Sequence, residues 1–284
     1  SVEGLDGDGV VIGIIDSGIT PEHPQLRDTR DADMPRACRS SWGETTVLGR
    51  WLCKRYRRLP GVPVFDPPEG WNGACESGDR FSADDCNNKL IGARWFIEGA
   101  LATGPIDEDE IRSPRDADGH GSHTASIATG RSIEVSYEGL RRTISGVAPR
   151  ATLVTYRVCY LGISDPETTE NAGCQGSAIL SAIDQAIVDG VDVINYSVGN
   201  TDISISDPDD LALLAASRAG VLAVVAAGNE GPNNGTIGSP AGSPAVITVG
   251  ASTRDGSSDV EALEITAPPS VADRYAALEA FFTP

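Results

Sequence analysis

No apolar run in this 284-residue chain comes near the ~18–20 residues of a membrane-spanning helix; the longest clean one, Val221 to Ala227, is strand-sized. Basic charge is scarce, with 22 Lys and Arg against 41 Asp and Glu and a net charge of −19. A polyanion would meet no concentrated basic face beyond the short Lys54-Arg55 and Arg57-Arg58 cluster, so nucleic-acid binding is not expected. The cysteines include no Cys-x-x-Cys, which removes the usual signature of zinc and thioredoxin-type chemistry. No Gly-rich phosphate loop follows the first apolar strand, because Gly7 and Gly9 precede it; this counts against a nucleotide-binding α/β protein. Histidine occurs three times only, so imidazole chemistry has few candidates: His23, His120 and His123. What remains is an ordinary globular composition, 40% hydrophobic and 22% charged.

Six cysteines are present, in three sequence-neighbour pairs: Cys38 and Cys53, Cys75 and Cys86, Cys159 and Cys174. An even set suits an oxidised, extracellular protein, although spacing leaves the connectivity open; six reduced structural thiols are the alternative. Ser1-Val2-Glu3-Gly4 reads as an internal start from which a leader or propeptide has been removed.

The chain changes character along its length. Val10 to Ile15 is a continuous β-branched run, bounded by Gly9 and by Asp16-Ser17-Gly18, and predicts a strand buried on both faces. From about 28 to 115 the sequence is irregular, rich in Pro, Gly, Cys and charge, and predicts a long insertion held by disulfides rather than by its own core. Within it Asp107-Glu108-Asp109-Glu110 reads as a solvated run, not as paired glycosidase carboxylates. Strands and helices then alternate. Thr152 to Cys159, Val191 to Val198, Val221 to Ala226 and Val246 to Val249 are strand-like; Ser177 to Val188 has helical spacing, and Asp207-Pro208 starts a helix over 209–218. Alternation of this kind implies an α/β fold, a doubly wound, mainly parallel sheet with helices on both faces. Beyond Ser257 the sequence becomes acidic and Ala/Pro-rich, which sets 257–284 apart from a main unit over 1–256.

In an open α/β sheet, chemistry belongs at the carboxyl ends of the strands. Asp16 ends the first strand and can be either a turn cap or a buried carboxylate that orients an imidazole. Gly119-His120-Gly121-Ser122-His123 carries two histidines; a His-x-x-His metal pair lacks a zincin glutamate and a third ligand, so chemistry is assigned to His120 and a structural role to His123. His23, before Pro24, is read as structural or exposed. Ala226-Ala227-Gly228-Asn229 ends a strand in a side-chain amide, either a turn residue or an N–H donor to an oxyanion. Asn234-Gly235-Thr236 fits a glycosylation acceptor.

Ile14-Ile15-Asp16-Ser17-Gly18, then Gly119-His120-Gly121-Ser122-His123-Thr124-Ala125, then Ala226-Ala227-Gly228-Asn229, in that order, resemble the subtilisin-type serine proteases. The resemblance implies that Asp16 orients His120, that His120 is the general base, and that Asn229 lines the oxyanion hole. It implies that Ser197-Val198-Gly199 pairs with an extended peptide substrate and that Ala226, Ala227 and Gly228 wall the pocket beside the scissile bond. Cys75-Glu76-Ser77-Gly78, Phe81 and Cys86-Asn87-Asn88-Lys89-Leu90-Ile91-Gly92-Ala93-Arg94 resemble the plant cucumisin-like subtilases and their secreted bacterial relatives. That resemblance implies a Cys75–Cys86 disulfide and a protease-associated domain, whose approach would be the 257–284 tail. No cofactor is required; structural calcium is implied by family analogy only.

One family element is missing. No Gly-Thr-Ser-Met-Ala-type turn follows Asn229: Gly238-Ser239 and Gly242-Ser243 precede Pro, and Gly256-Ser257 lacks the small apolar residues of the expected helix. The expected nucleophile therefore lies beyond Pro284, the chain alone is expected to be inactive, and the partners implied are a propeptide and the rest of the domain. The competing reading is an inactive subtilase-fold module that binds peptides.

Overall fold

The computed structural model describes residues 5–28, 48, 65, 67–71, 73–103, 106–137, 139–161, 173–201, 204, 206–251, 260–262 and 279–281. Cys38, Cys53, the Lys54–Arg58 cluster and Ser257 lie outside these residues.

Six parallel strands form the central sheet. In chain order they are β1 (Val11–Asp16), β2 (Leu90–Trp95), then, after the hairpin β3 (Ile133–Tyr137) and β4 (Leu140–Ile144), β5 (Thr152–Arg157), β6 (Val193–Tyr196), β7 (Leu222–Ala226) and β8 (Ile247–Val249). Their spatial order is β2-β5-β1-β6-β7-β8. The described helices of the main unit are α1 (Glu98–Thr103), α2 (His120–Thr129), α3 (Gly176–Asp189) and α4 (Pro208–Arg218).

β1 is buried at all six positions because both faces are covered, and its period-2 alternation divides it between two cores. Val11 and Ile15 join Val154, Tyr156 and Ile194 against Ala182, Ile183 and Ala186 of α3 and Leu213 of α4. Ile12 and Ile14 join Leu153 and Leu26 against Ala125 of α2. Asp16 has the parity of Ile12 and Ile14, so the strand delivers its carboxylate to the α2 side. β5 and β6 flank β1 on opposite sides, and the chain crosses between them through α3; the crevice that such a crossing creates opens at the carboxyl end of β1.

The stretch 28–115 is not wholly an excursion. Leu90–Trp95 pairs with β5 and forms an edge of the main sheet, with a register shift between Leu90 and Gly92. The Lys89 ammonium, fully buried beneath it, donates to the Pro149 and Ala151 carbonyls. The β3–β4 hairpin, with polar Glu134, Ser136, Arg141 and Arg142, was not anticipated either, and every β4 residue is exposed. In the 257–284 tail, β9 (Val260–Ala262) and β10 (Glu279–Phe281) pair antiparallel. Cys75–Cys86 and Cys159–Cys174 are disulfide-bonded. No described helix is long and apolar enough to cross a membrane.

Candidate active site

β1 ends in a tight turn, and the first turn of α2 lies directly on it. A Cβ added at Gly121 would stand 2.3 Å from the Gly18 carbonyl oxygen, and one at Gly18 would stand 2.6 Å from the Pro114 oxygen, with Gly18 at φ +114°. Only glycine permits both the approach and that backbone conformation. The result is a direct contact: His120 Nδ1 lies 2.7 Å from Asp16 Oδ1. The same oxygen accepts the Ser17 N–H at 2.7 Å, and Oδ2 accepts the Thr124 hydroxyl at 3.2 Å. Asp16 is 1% exposed, whereas the His120 side chain is 51% exposed, so the carboxylate end of the pair is buried and the imidazole end is open.

Burial opposes protonation of His120, but the hydrogen bond and charge of Asp16, aided by the charges of Asp118 and Asp116, outweigh it and raise its pKa above the ordinary 6.5. The linked stability is therefore fully present below the unfolded-state histidine value and is lost as pH rises through the raised folded value. A proton–nitrogen NMR titration of His120 should give a midpoint above 6.5; a midpoint at or below it would contradict this account of the site.

The crevice at this end of the sheet is an open cleft of about 580 Å³ that brings Asp16 and His120 together with Ser197, Val198, Gly199 and Asn229. A smaller adjoining pocket is lined by Ala226, Ala227, Gly228 and Asn229 with Ser197, Val198 and Gly199. Residues that lie as much as 213 positions apart, from Asp16 to Asn229, thus share one surface. The Asn229 backbone N–H is held by Glu230 Oε2 at 2.8 Å. The Cys159–Cys174 disulfide and Leu161 form part of the cleft wall.

Among the described residues no serine hydroxyl bonds the His120 ring. Ser239, 1% exposed, donates to Asp210 at 2.8 Å; Ser17 donates to Asp116 at 2.9 Å; the Ser197 hydroxyl accepts from Asn195 at 3.0 Å. Carboxylates of Asp207, Asp209 and Asp210 cluster at the start of α4; Tyr196 donates to Asp209 Oδ2 and Ser239 to Asp210 Oδ2, while the buried Asp210 Oδ1 has no hydrogen-bond partner among the described residues.

Two expectations are corrected. His123 is not a buried structural histidine; it projects from the exposed side of α2, four residues along from Gly119, whose carbonyl takes its N–H. Glu110 is not solvated: it is 5% exposed and pairs with buried Arg157 at 2.6 Å. His23 is half-buried, and its Nδ1 accepts the Gln25 N–H at 3.4 Å. Sequence reasoning also passed over Asp116 and Thr124. Asp116 sits just before α2, where an acidic side chain with free acceptors is the usual capping signal.

The chain matches the peptidase S8 subtilase family over residues 7–274. Similar proteins include subtilisin-like protease SBT1.6 of Arabidopsis thaliana, 39% identical over 258 residues that cover 88% of this chain and 28% of that protein. SBT1.4 and SBT3.3 of the same plant are each 37% identical over 88% of this chain and cover 27% and 28% of their own lengths. The chain thus spans little more than a quarter of the curated relatives it matches. Family match, identity and the parallel α/β architecture agree: the chain belongs to the subtilase family.

Proposed function

We propose that this chain carries the acid–base half of a secreted serine endopeptidase, with the nucleophilic serine supplied by polypeptide beyond these 284 residues. The observation that carries the reading is the 2.7 Å Asp16–His120 contact at the mouth of a cleft shared with Ser197–Gly199 and Asn229.

In this reading Asp16 fixes the tautomer with the proton on Nδ1, which leaves Nε2 to take the proton of the serine hydroxyl. The serine oxygen attacks the peptide carbonyl; the developing oxyanion takes a hydrogen bond from the Asn229 side-chain amide. His120, now cationic and stabilised by Asp16, gives its proton to the leaving amine, and water later resolves the acyl-enzyme. The Ser197–Gly199 segment pairs with the extended substrate, and Ala226–Gly228 wall the side-chain pocket. No cofactor enters these steps. Two disulfides among the described residues support an extracellular setting.

A fluorophosphonate probe, applied to the protein from its natural source, tests the reading. Labelling of one serine in a peptide absent from this sequence is expected, and it should be lost after substitution of His120. A folded, mature protein that takes no label would overturn the proposal and leave peptide binding without hydrolysis as the better account.

A further inference from the structure

Asp116 accepts five hydrogen bonds, from residues on both sides of the catalytic contact. Its Oδ1 takes the Ser17 hydroxyl at 2.9 Å, the Gly119 N–H at 2.8 Å and the Asp118 N–H at 3.1 Å. Its Oδ2 takes the Ser122 N–H at 2.9 Å and the Ser122 hydroxyl at 2.6 Å. Ser17 follows Asp16 directly, while Gly119 and Ser122 bracket His120. The Ser17 hydroxyl in turn accepts the Gly121 N–H at 2.8 Å, and the Ser122 hydroxyl reaches Thr20 at 3.0 Å. A simple helix cap would bond α2 alone; this carboxylate bonds the β1 turn as well.

We propose that Asp116 is a positioning residue: it locks the turn after β1 to the first turn of α2 and so sets the Asp16–His120 geometry. Its kinetic consequence rests on the protease reading, but the geometry stands apart from it. Burial opposes ionisation of Asp116, yet the Ser122, Gly119 and Ser17 donors outweigh it and hold its carboxyl below the usual carboxylate range. It therefore presents acceptors only throughout the neutral range, which is what five converging donors require. Asparagine cannot replace it without turning an NH₂ group toward some of those donors. The charged groups that bear on His120 are Asp16 from β1 and Asp116 and Asp118 from the segment before α2. Loss of Asp116 therefore also lowers the His120 pKa.

The test uses the full-length protein with Asp116→Asn and Asp116→Ala, and with Ser17→Ala, which removes the tie to β1 and the acceptor of the Gly121 N–H but leaves the four Asp116 bonds to Asp118, Gly119 and Ser122 in place. Rates are taken per fluorophosphonate-reactive site on a chromogenic peptide, and the His120 Nδ1 proton resonance is followed by NMR. The Asp116 variants should lose roughly 10²-fold in kcat with KM unchanged, the scale of a small misplacement of a catalytic group. Their acid limb should move to lower pH, and the Nδ1 resonance should shift or broaden. Ser17→Ala should show a smaller loss of the same kind. A wild-type kcat per reactive site in the Asp116 variants overturns the proposal, whatever their thermal stability. If neither folds, an unchanged kcat and Nδ1 resonance in Ser17→Ala overturns it instead. If the wild-type protein takes no label, the protease reading fails; the Nδ1 resonance of the variants then decides the positioning role alone.

Discussion

Asp16→Asn in the full-length protein should reduce kcat about 10⁴-fold, and His120→Ala by about 10⁶-fold, the scale known for the orienting acid and the base of serine-protease triads. The asymmetry has a structural cause here. Without the imidazole there is no base. With asparagine at position 16 the imidazole survives, but the amide can present an NH₂ to Nδ1 and so favour the tautomer whose proton sits on Nε2, where a lone pair is needed. Asp16 Oδ1 also accepts the Ser17 N–H; the Thr124 hydroxyl, 3.2 Å from Oδ2, has the Gly121 carbonyl at 3.0 Å as an alternative acceptor, so the Ser17 N–H and the His120 ring are the groups that compete for the amide oxygen. KM should change little, because in the proposed reading the substrate main chain pairs with Ser197–Gly199, whereas the Asp16 carboxylate is 1% exposed and faces His120. Steady-state kinetics per labelled site decide the matter: an Asp16→Asn enzyme within tenfold of wild type would mean that Asp16 merely caps a turn.

Much of the scaffold behind this pair was legible because its cues are local. The β-branched run of β1, bounded by Gly9 and by Asp16-Ser17-Gly18, carried its own strand signature, and the strand is buried on both faces. Pro208 after Asp207 announced α4, whose N-cap is Asp207. The spacing of Ile179 and Ile183 marked the buried side of α3. The features that escaped depend on distant partners. β2 contains Gly92 and Ala93, weak strand formers, and becomes a strand because β5, some 60 residues on, supplies its ladder. Glu110 sits in an acidic run that looks solvated until Arg157 closes over it. Asp116 looks like a local cap; its link to Ser17, 99 positions away, exists only in the folded chain. Ser122 and Thr124, which stand in the sequence only as parts of the family motif, prove to hydrogen-bond within the site.

Arg157→Met should destabilise the folded domain by about 3–5 kcal/mol, because it strands a buried carboxylate. The Arg157 side chain is 1% exposed and that of Glu110 0%, with Nη2 to Oε1 at 2.6 Å. Nη1 of Arg157 also donates to the Ile111 carbonyl at 2.6 Å, Ser113 at 3.1 Å and Arg115 at 2.7 Å, and the guanidinium lies 4.7 Å from the Tyr160 ring centroid. In methionine's presence Glu110 keeps only the Ile111 and Leu161 N–H donors. Its charge would be uncompensated, and the Ser113, Arg115 and Cys159 carbonyls would lose the Arg157 donor, while that of Ile111 keeps the Ser113 N–H. Removing both charges, as Arg157→Met with Glu110→Leu, should recover only part of the loss: the ion pair itself exchanges for apolar contact at little cost, but the orphaned carbonyls remain, at about 1–3 kcal/mol each where they stay dry. Arg157 pairs in register with Asp16, and the Val158 N–H donates to the Asp16 carbonyl, so the damage reaches the site. Thermal unfolding of the two variants, with hydrogen exchange over 110–120, separates the contributions. Full recovery in the double variant would show that the ion pair alone mattered; a loss below about 1 kcal/mol in the single one would show that water reaches Glu110 and that the segment leading to His120 is held by something else.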